Sequence, residues 1–295
     1  MPKKLKDFGK LFKTTFQAWN RKDPFRQSSV IAYYAIFSMP GLLVLIIAIT
    51  GSIFGKDVVN ERIISEISKT MGANTAVQIK EMLVIAGQAK ATILGSMVGV
   101  LILLIGATGV FIELQKTLNT IWEVKAVPQK GIVRLIKARL FSFGLILAIA
   151  FLLLISLVFS AALAAMSSWI KADASAWIAI FFNMINFIVS LAIISFLFAL
   201  MLKILPDARI KWKHVWLGSL LSGILFTIGK TALAFYFGKA EPASLYGAAG
   251  SVILILLWVS YSSMIFFFGA EFTAAYAKMY SDTIPPTEIA KTDNE

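Results

Sequence analysis

The stretch AAGSVILILLWVSYSSMIFFFGA, residues 248–270, carries no charged side chain over 23 positions. A helix rising about 1.5 Å per residue needs about 20 such residues to cross about 30 Å of hydrocarbon, so this segment is long enough to span a bilayer. Its apolar residues run all the way round the helix, leaving no polar face for water. Five further stretches read the same way: residues 30–54, 93–114, 141–166, 176–202 and 215–237.

Composition agrees with these spans. Of 295 residues 58% are hydrophobic and only 15% charged, and the mean hydropathy is +0.80, a balance that belongs to multispanning membrane proteins. The expected fold class is all-α: a polytopic membrane protein with six transmembrane helices, both termini cytoplasmic, plus interfacial amphipathic helices. Residues 1–29 form a cytoplasmic amphipathic segment, 30–280 the six-span domain with an outer helical loop at 55–92, and 281–295 a disordered cytoplasmic tail. The basic first segment has no apolar core or small-residue cleavage site of a signal peptide, so the first span is the expected insertion signal.

Charge placement sets the orientation. With both termini inside, twenty Lys and Arg fall in cytoplasmic segments against seven in outer ones, five of those in the outer loop beside four acids. Basic residues in short flanking loops are retained on the cytoplasmic side. The net charge of +12 is therefore a topological signature, and a nucleic-acid partner has little left to explain. Membrane lipids with anionic headgroups are the expected partners. Phe8, Phe12, Phe16 and Trp19 recur at helical spacing opposite Lys3, Lys6, Lys10 and Lys13, the pattern of a helix lying on an anionic leaflet. Residues 130–140 repeat it, with Ile132, Ile136 and Leu140 opposite Lys130, Arg134 and Lys137.

Several residues are costly in lipid. Pro40 near the middle of the first span removes a backbone donor and kinks the helix. A midplane break either packs or lines a cavity; Tyr33, Tyr34 and Ser38 supply polar atoms for a pocket that Trp258 and Tyr261, one turn apart, would face. Lys230 lies within the fifth span, where it either snorkels or faces inward to meet an anion. Glu113 and Glu271 end the second and sixth spans as helix-end acids or as a gating or ion pair. Asn183 and Asn186 share a face with Ser190, either as interhelical hydrogen-bonding groups or as ligands. Gly95, Gly99 and Gly106, with Gly247, Gly250 and Gly269 further on, permit close helix contact.

Catalytic chemistry finds no foothold. The chain has no cysteine and one histidine, His214, which excludes thiolate nucleophiles and His-paired catalysis. It has no phosphate-binding glycine loop, no paired acids for two metal ions and no nucleophile elbow. No enzyme activity, metal or cofactor is expected.

Ala32-Tyr33-Tyr34-x3-Ser38-x-Pro40, Leu118-Asn119-x2-Trp122, Leu205-Pro206, Tyr246-Gly247-x2-Gly250, Leu257-Trp258-x2-Tyr261 and Gly269-Ala270-Glu271 together resemble the YihY/BrkB family of bacterial inner-membrane proteins, over residues 10–278. The resemblance implies a multi-pass protein of the cytoplasmic membrane, and gives Asn119, Trp122, Pro206 and Tyr246 structural roles as motif residues. The ribonuclease label that the family has carried gains no support here, because the sequence offers neither a metal cluster nor a histidine pair for RNA cleavage. Three functions stay open: a transporter or flippase of an amphipathic anionic envelope component, a non-transporting scaffold or envelope-assembly factor, and an intramembrane enzyme. A homo-oligomer stays open as well.

Overall fold

The structure, a computed structural model, describes residues 2–38, 93–126, 176–240, 250–280 and 290–292, with a few helical positions between 60 and 80. Helix α1 spans Pro2–Arg21 and α2 residues 24–38. Then follow α3 (Ile93–Ile121), α4 (Ala176–Ile204), α5 (Trp212–Ala240) and α6 (Gly250–Met279). Within them Ile180–Ile204, Trp212–Phe237 and Val252–Met279 are long and apolar enough to cross a membrane. The expected second span is helical within α3. The third span, the 130–140 helix, Pro40, Tyr246 and Gly247 lie outside the described residues, as does most of the outer loop.

The first helical boundary differs from the expected one. Hydropathy begins the span at residue 30, but the chain breaks at Lys22 and Asp23, and α2 starts at Pro24. Proline suits a first helical position, since its missing N–H has no partner there anyway. Asp23 turns the chain with φ 54°, a left-handed conformation that Asp tolerates better than most residues. Its carboxylate accepts from Arg26 Nε at 3.2 Å. Residues 24–29, four of them polar (Arg26, Gln27, Ser28 and Ser29), thus extend the helix outside the apolar span.

The chain is overwhelmingly helical, with one short strand pair that takes in part of the expected tail. Val124–Ala126 forms strand β1, Ala290–Thr292 forms β2, and the two pair antiparallel with Val124 opposite Thr292 and Ala126 opposite Ala290. Tail residues 290–292 are therefore ordered, because the ladder gives their backbone groups partners that polarity counts do not anticipate. Paired Cα atoms in such a ladder lie about 4.5–5.5 Å apart, within disulfide reach. In this cysteine-free chain, Val124→Cys with Thr292→Cys is expected to oxidise readily, read as protection from iodoacetamide. Val124→Cys with Ala290→Cys, two residues out of register, should stay reduced, and equal oxidation of both pairs would refute the register.

By internal contacts the chain forms two compact units. One comprises Met1–Gln17, Leu118–Leu225 and Phe268–Glu295, the other Ala18–Thr117 and Phe226–Phe267. In the first, Phe12 of α1 packs on Phe268 and Phe272 of α6, at ring-centroid distances of 6.3 and 5.4 Å. Leu11 and Thr15 are buried, while Phe8 and Phe16 keep more than half of their surface exposed. The aromatic stripe of α1 is therefore divided between docking on α6 and outward exposure. In the second unit Phe237, Leu254 and Ile255 form a core against which Ile36, Leu233 and Trp258 pack. The outward faces of α4 and α5 carry Ile180, Phe181, Phe187, Leu220, Ile228 and Phe235, a surface that suits lipid and would be a liability in water.

Candidate functional site

The first unit contains a reciprocal polar pair. α3 ends at Ile121, which brings Asn119 of its last turn to the segment linking α4 and α5. Asn119 Nδ2 donates to Asp207 Oδ2 at 2.8 Å, and Asp207 N donates to Asn119 Oδ1, also at 2.8 Å. Both residues are 7% exposed. The amide thus holds both the carboxylate and the backbone of Asp207, and fixes the linker beside buried Pro206. Lys203 Nζ donates to the carbonyl of Ile210 across the same linker. Past α3, Glu123 is held at φ 55° and pairs with Lys278 of α6 at 2.6 Å.

In the same unit α5 and α6 meet backbone to backbone. A Cβ added at Gly218 would stand 2.7 Å from the Gly269 carbonyl, and one at Gly269 3.0 Å from the Gly218 carbonyl. Ser222 donates to Gly218 O at 3.0 Å and Thr273 to Gly269 O at 2.7 Å, so each hydroxyl folds back on its own helix. The pattern is Gly-x3-Ser facing Gly-x3-Thr, the small-residue spacing that lets membrane helices approach closely. Further along, the His214 ring lies 5.8 Å from that of Tyr276. His214 and Glu271 are buried, at 2% and 3% exposure.

The second unit holds most of the expected pocket residues, in two separate contacts. Tyr34 of α2 seats its ring against Gly109 of α3, and Ser38 stands against Gly106, where a Cβ would lie 2.9 Å from its own. Ser38 Oγ donates back to Ala35 O at 3.0 Å. Tyr33 points outward and packs edge-on to Tyr34 and Phe37. Tyr261 of α6 seats its ring against Gly229 of α5, and Trp258 packs edge-on to Phe226 at 5.8 Å. Tyr34 and Ser38 thus face α3 while Trp258 and Tyr261 face α5.

Lys230 follows Gly229 on α5 and is half-buried. It stands four residues after Phe226, three before Leu233 and seven before Phe237, so it shares their helical stripe. Phe237 belongs to the core that Leu233 and Trp258 pack against. Helical phase therefore turns the Lys230 stem toward the packed side of α5, away from exposed Ile224, Ile228 and Phe235.

Glu113 pairs with Lys116 of its own helix at 3.9 Å. Gly95 and Gly99 lie within α3, and Gly250 opens α6 with its position buried. Asp207, Gly218, Ser222 and Thr273 join the site without standing among the residues expected from sequence. The Gly-x3-Ser and Gly-x3-Thr spacings carried a readable signal for three of them, whereas a lone acid in a short linker carries none.

Long apolar helices with buried polar contacts between them define a polytopic α-helical integral membrane protein. A family model described as Virulence factor BrkB matches residues 15–292, and the chain belongs to that family. A UPF0761 membrane protein of Verminephrobacter eiseniae is 30% identical over 187 residues, 63% of this chain and 42% of its own length. One of Delftia acidovorans is 27% identical over 186 residues, with the same coverage of 63% and 42%. A third, from Tolumonas auensis, is 33% identical over 78 residues, 25% of each chain. The chain thus spans less than half the length of these curated relatives. No solved structure matches it.

Proposed function

We propose that this chain is an inner-membrane transporter or flippase for an amphipathic anionic component of the cell envelope. The observation that carries the reading is Lys230: a cation on the packed stripe of an apolar span. A charge within a membrane helix costs about 2.5–3.5 kcal/mol on insertion scales, and such residues usually mark a substrate or ion path. An anionic headgroup drawn below the interface meets the same penalty, and a fixed ammonium offsets it. The basic cytoplasmic segments expected from the sequence supply surface attraction of about 1 kcal/mol per residue near an anionic leaflet.

The test is reconstitution in liposomes with fluorescent phosphatidylglycerol and, separately, fluorescent phosphatidylcholine. Wild type should accelerate exchange of the anionic probe selectively. Lys230→Met should slow it at least about tenfold, equivalent to about 1.4 kcal/mol, while Lys230→Arg retains most of the rate and all three proteins elute alike. Unchanged exchange by Lys230→Met would remove the residue from the mechanism. Failure of wild type to move either probe would favour the second reading, a non-transporting scaffold. That reading draws on the glycine contacts at Gly106, Gly109, Gly218 and Gly229, which bring neighbouring helices close in the manner of a fixed bundle.

A further inference from the structure

One hydroxyl of the second unit differs from its neighbours. The short ones fold back on their own helices: Ser262 donates to Trp258 O at 2.8 Å and Thr231 to Thr227 O at 3.2 Å. The Tyr261 phenol is too long for that return. Its Oη rests so close to Gly229 that an added Cβ would overlap it, and among the described residues nothing accepts its proton. Tyr261 stands nine residues from the Val252 end of its span, and Gly229 eight from the Phe237 end of its own, about 12–14 Å along each helix. At that depth water is scarce and an O–H without an acceptor is costly. The glycine offers the oxygen only a weak Cα–H contact, and phenylalanine would fill the same notch without a polar group to satisfy. Packing therefore explains the ring and leaves the hydroxyl over. Tyr261 is half-buried, so part of the phenol stays accessible.

The neighbouring residue indicates what receives the proton. Gly229 is followed by Lys230, and consecutive Cα atoms stand about 3.8 Å apart, so the phenol touches α5 at the foot of the lysine stem. Both groups are donors. The phenol offers one O–H and the ammonium three N–H, enough to serve a further acceptor beside any that the protein provides. A ligand suited to two donors, one of them charged, is negative and rich in acceptor oxygens. A phosphodiester carries two anionic oxygens on one centre, one for each donor, and hydrogen bonds to such oxygens are the strong, charge-assisted kind. We propose that the Tyr261 hydroxyl binds the headgroup phosphate of a glycerophospholipid, donating to one phosphate oxygen while Lys230 meets the charge. The inference rests on the transport reading for bringing lipid to Lys230, but it concerns binding, which is measured without transport.

Native mass spectrometry of the full-length protein in detergent, titrated with dioleoyl phosphatidylglycerol, gives the affinity. Dioleoylglycerol, the same chains without phosphate, is the reference ligand. Tyr261→Phe keeps the ring and removes one oxygen, so it should fold as wild type does. It should weaken phosphatidylglycerol binding about tenfold, the scale of one hydrogen bond to a charged acceptor, and leave dioleoylglycerol binding unchanged. Equal loss of both lipids would mean that the hydroxyl only supports the fold, and undiminished phosphatidylglycerol binding would mean that it contacts no phosphate. Displacement of the lipid by an equal concentration of inorganic phosphate would make free phosphate the ligand. Each of these three results overturns the proposal. The transport reading fails separately: selective loss of phosphatidylglycerol by Tyr261→Phe, with a wild type that moves neither probe in liposomes, keeps the site and removes transport. Normal binding by Tyr261→Phe, with a wild type that moves the anionic probe, does the reverse.

Discussion

Asn119→Ala is expected to lower the stability of the detergent-solubilised protein by about 2–4 kcal/mol. The substitution removes two hydrogen bonds made at 2.8 Å between buried groups. One of them ends on a carboxylate, worth about 1.5–3 kcal/mol, and the other is a neutral backbone-to-amide bond worth about 0.5–1.5. Asn119→Asp keeps the shape but replaces the donating nitrogen by an oxygen facing Asp207, so attraction becomes repulsion between like charges. It should be at least as damaging as alanine, although it is the smaller structural change. The measurement is the midpoint of thermal unfolding for the three proteins in one detergent. If aspartate proved milder than alanine, charge and hydrogen-bond direction would not be what holds the linker between α4 and α5.

Gly269→Leu should have the largest effect, preventing recovery of folded protein. Even a Cβ at this position would lie 3.0 Å from the Gly218 carbonyl and meet Ser222. Backbone cannot yield as a side-chain end can, so α5 and α6 must separate along this contact. Overpacking a well-filled site costs about 1–3 kcal/mol and occasionally more, and a leucine adds three further carbons to the clash. Gly9→Ala is the matched control, since nothing lies within 4 Å of the added Cβ. There the loss of glycine from a helix should stabilise by about 0.5–1 kcal/mol. Monodisperse elution of Gly269→Leu with native helicity would show that the crossing is not closely packed.

What could be read from sequence follows from what each signal measures. Hydropathy finds the apolar length of α4, α5 and α6, because a predominantly apolar run is a local property of consecutive residues. It does not see that α2 begins at Pro24, since residues 26–29 are polar and helical together. Asn119 and Pro206 stand out as motif residues, but their connection runs through Asp207 across 88 positions, and no periodicity reports a contact of that separation. By sequence, Tyr34 and Tyr261 read as polar atoms for a pocket. Their rings fill notches left by Gly109 and Gly229, an arrangement that depends on which helices are neighbours. The strand at 290–292 escaped for the same reason, because three residues of tail acquire their pairing only from β1.

The separation of those two strands also sets an order of events during synthesis. Residues 124–126 leave the ribosome long before residues 290–292, and the last of the long apolar helices, α6, ends at Met279. Every one of these helices must therefore be made and delivered to the membrane while β1 still lacks its strand. The ladder closes only after α6 has been made, as a stitch across helices that precede it in the chain.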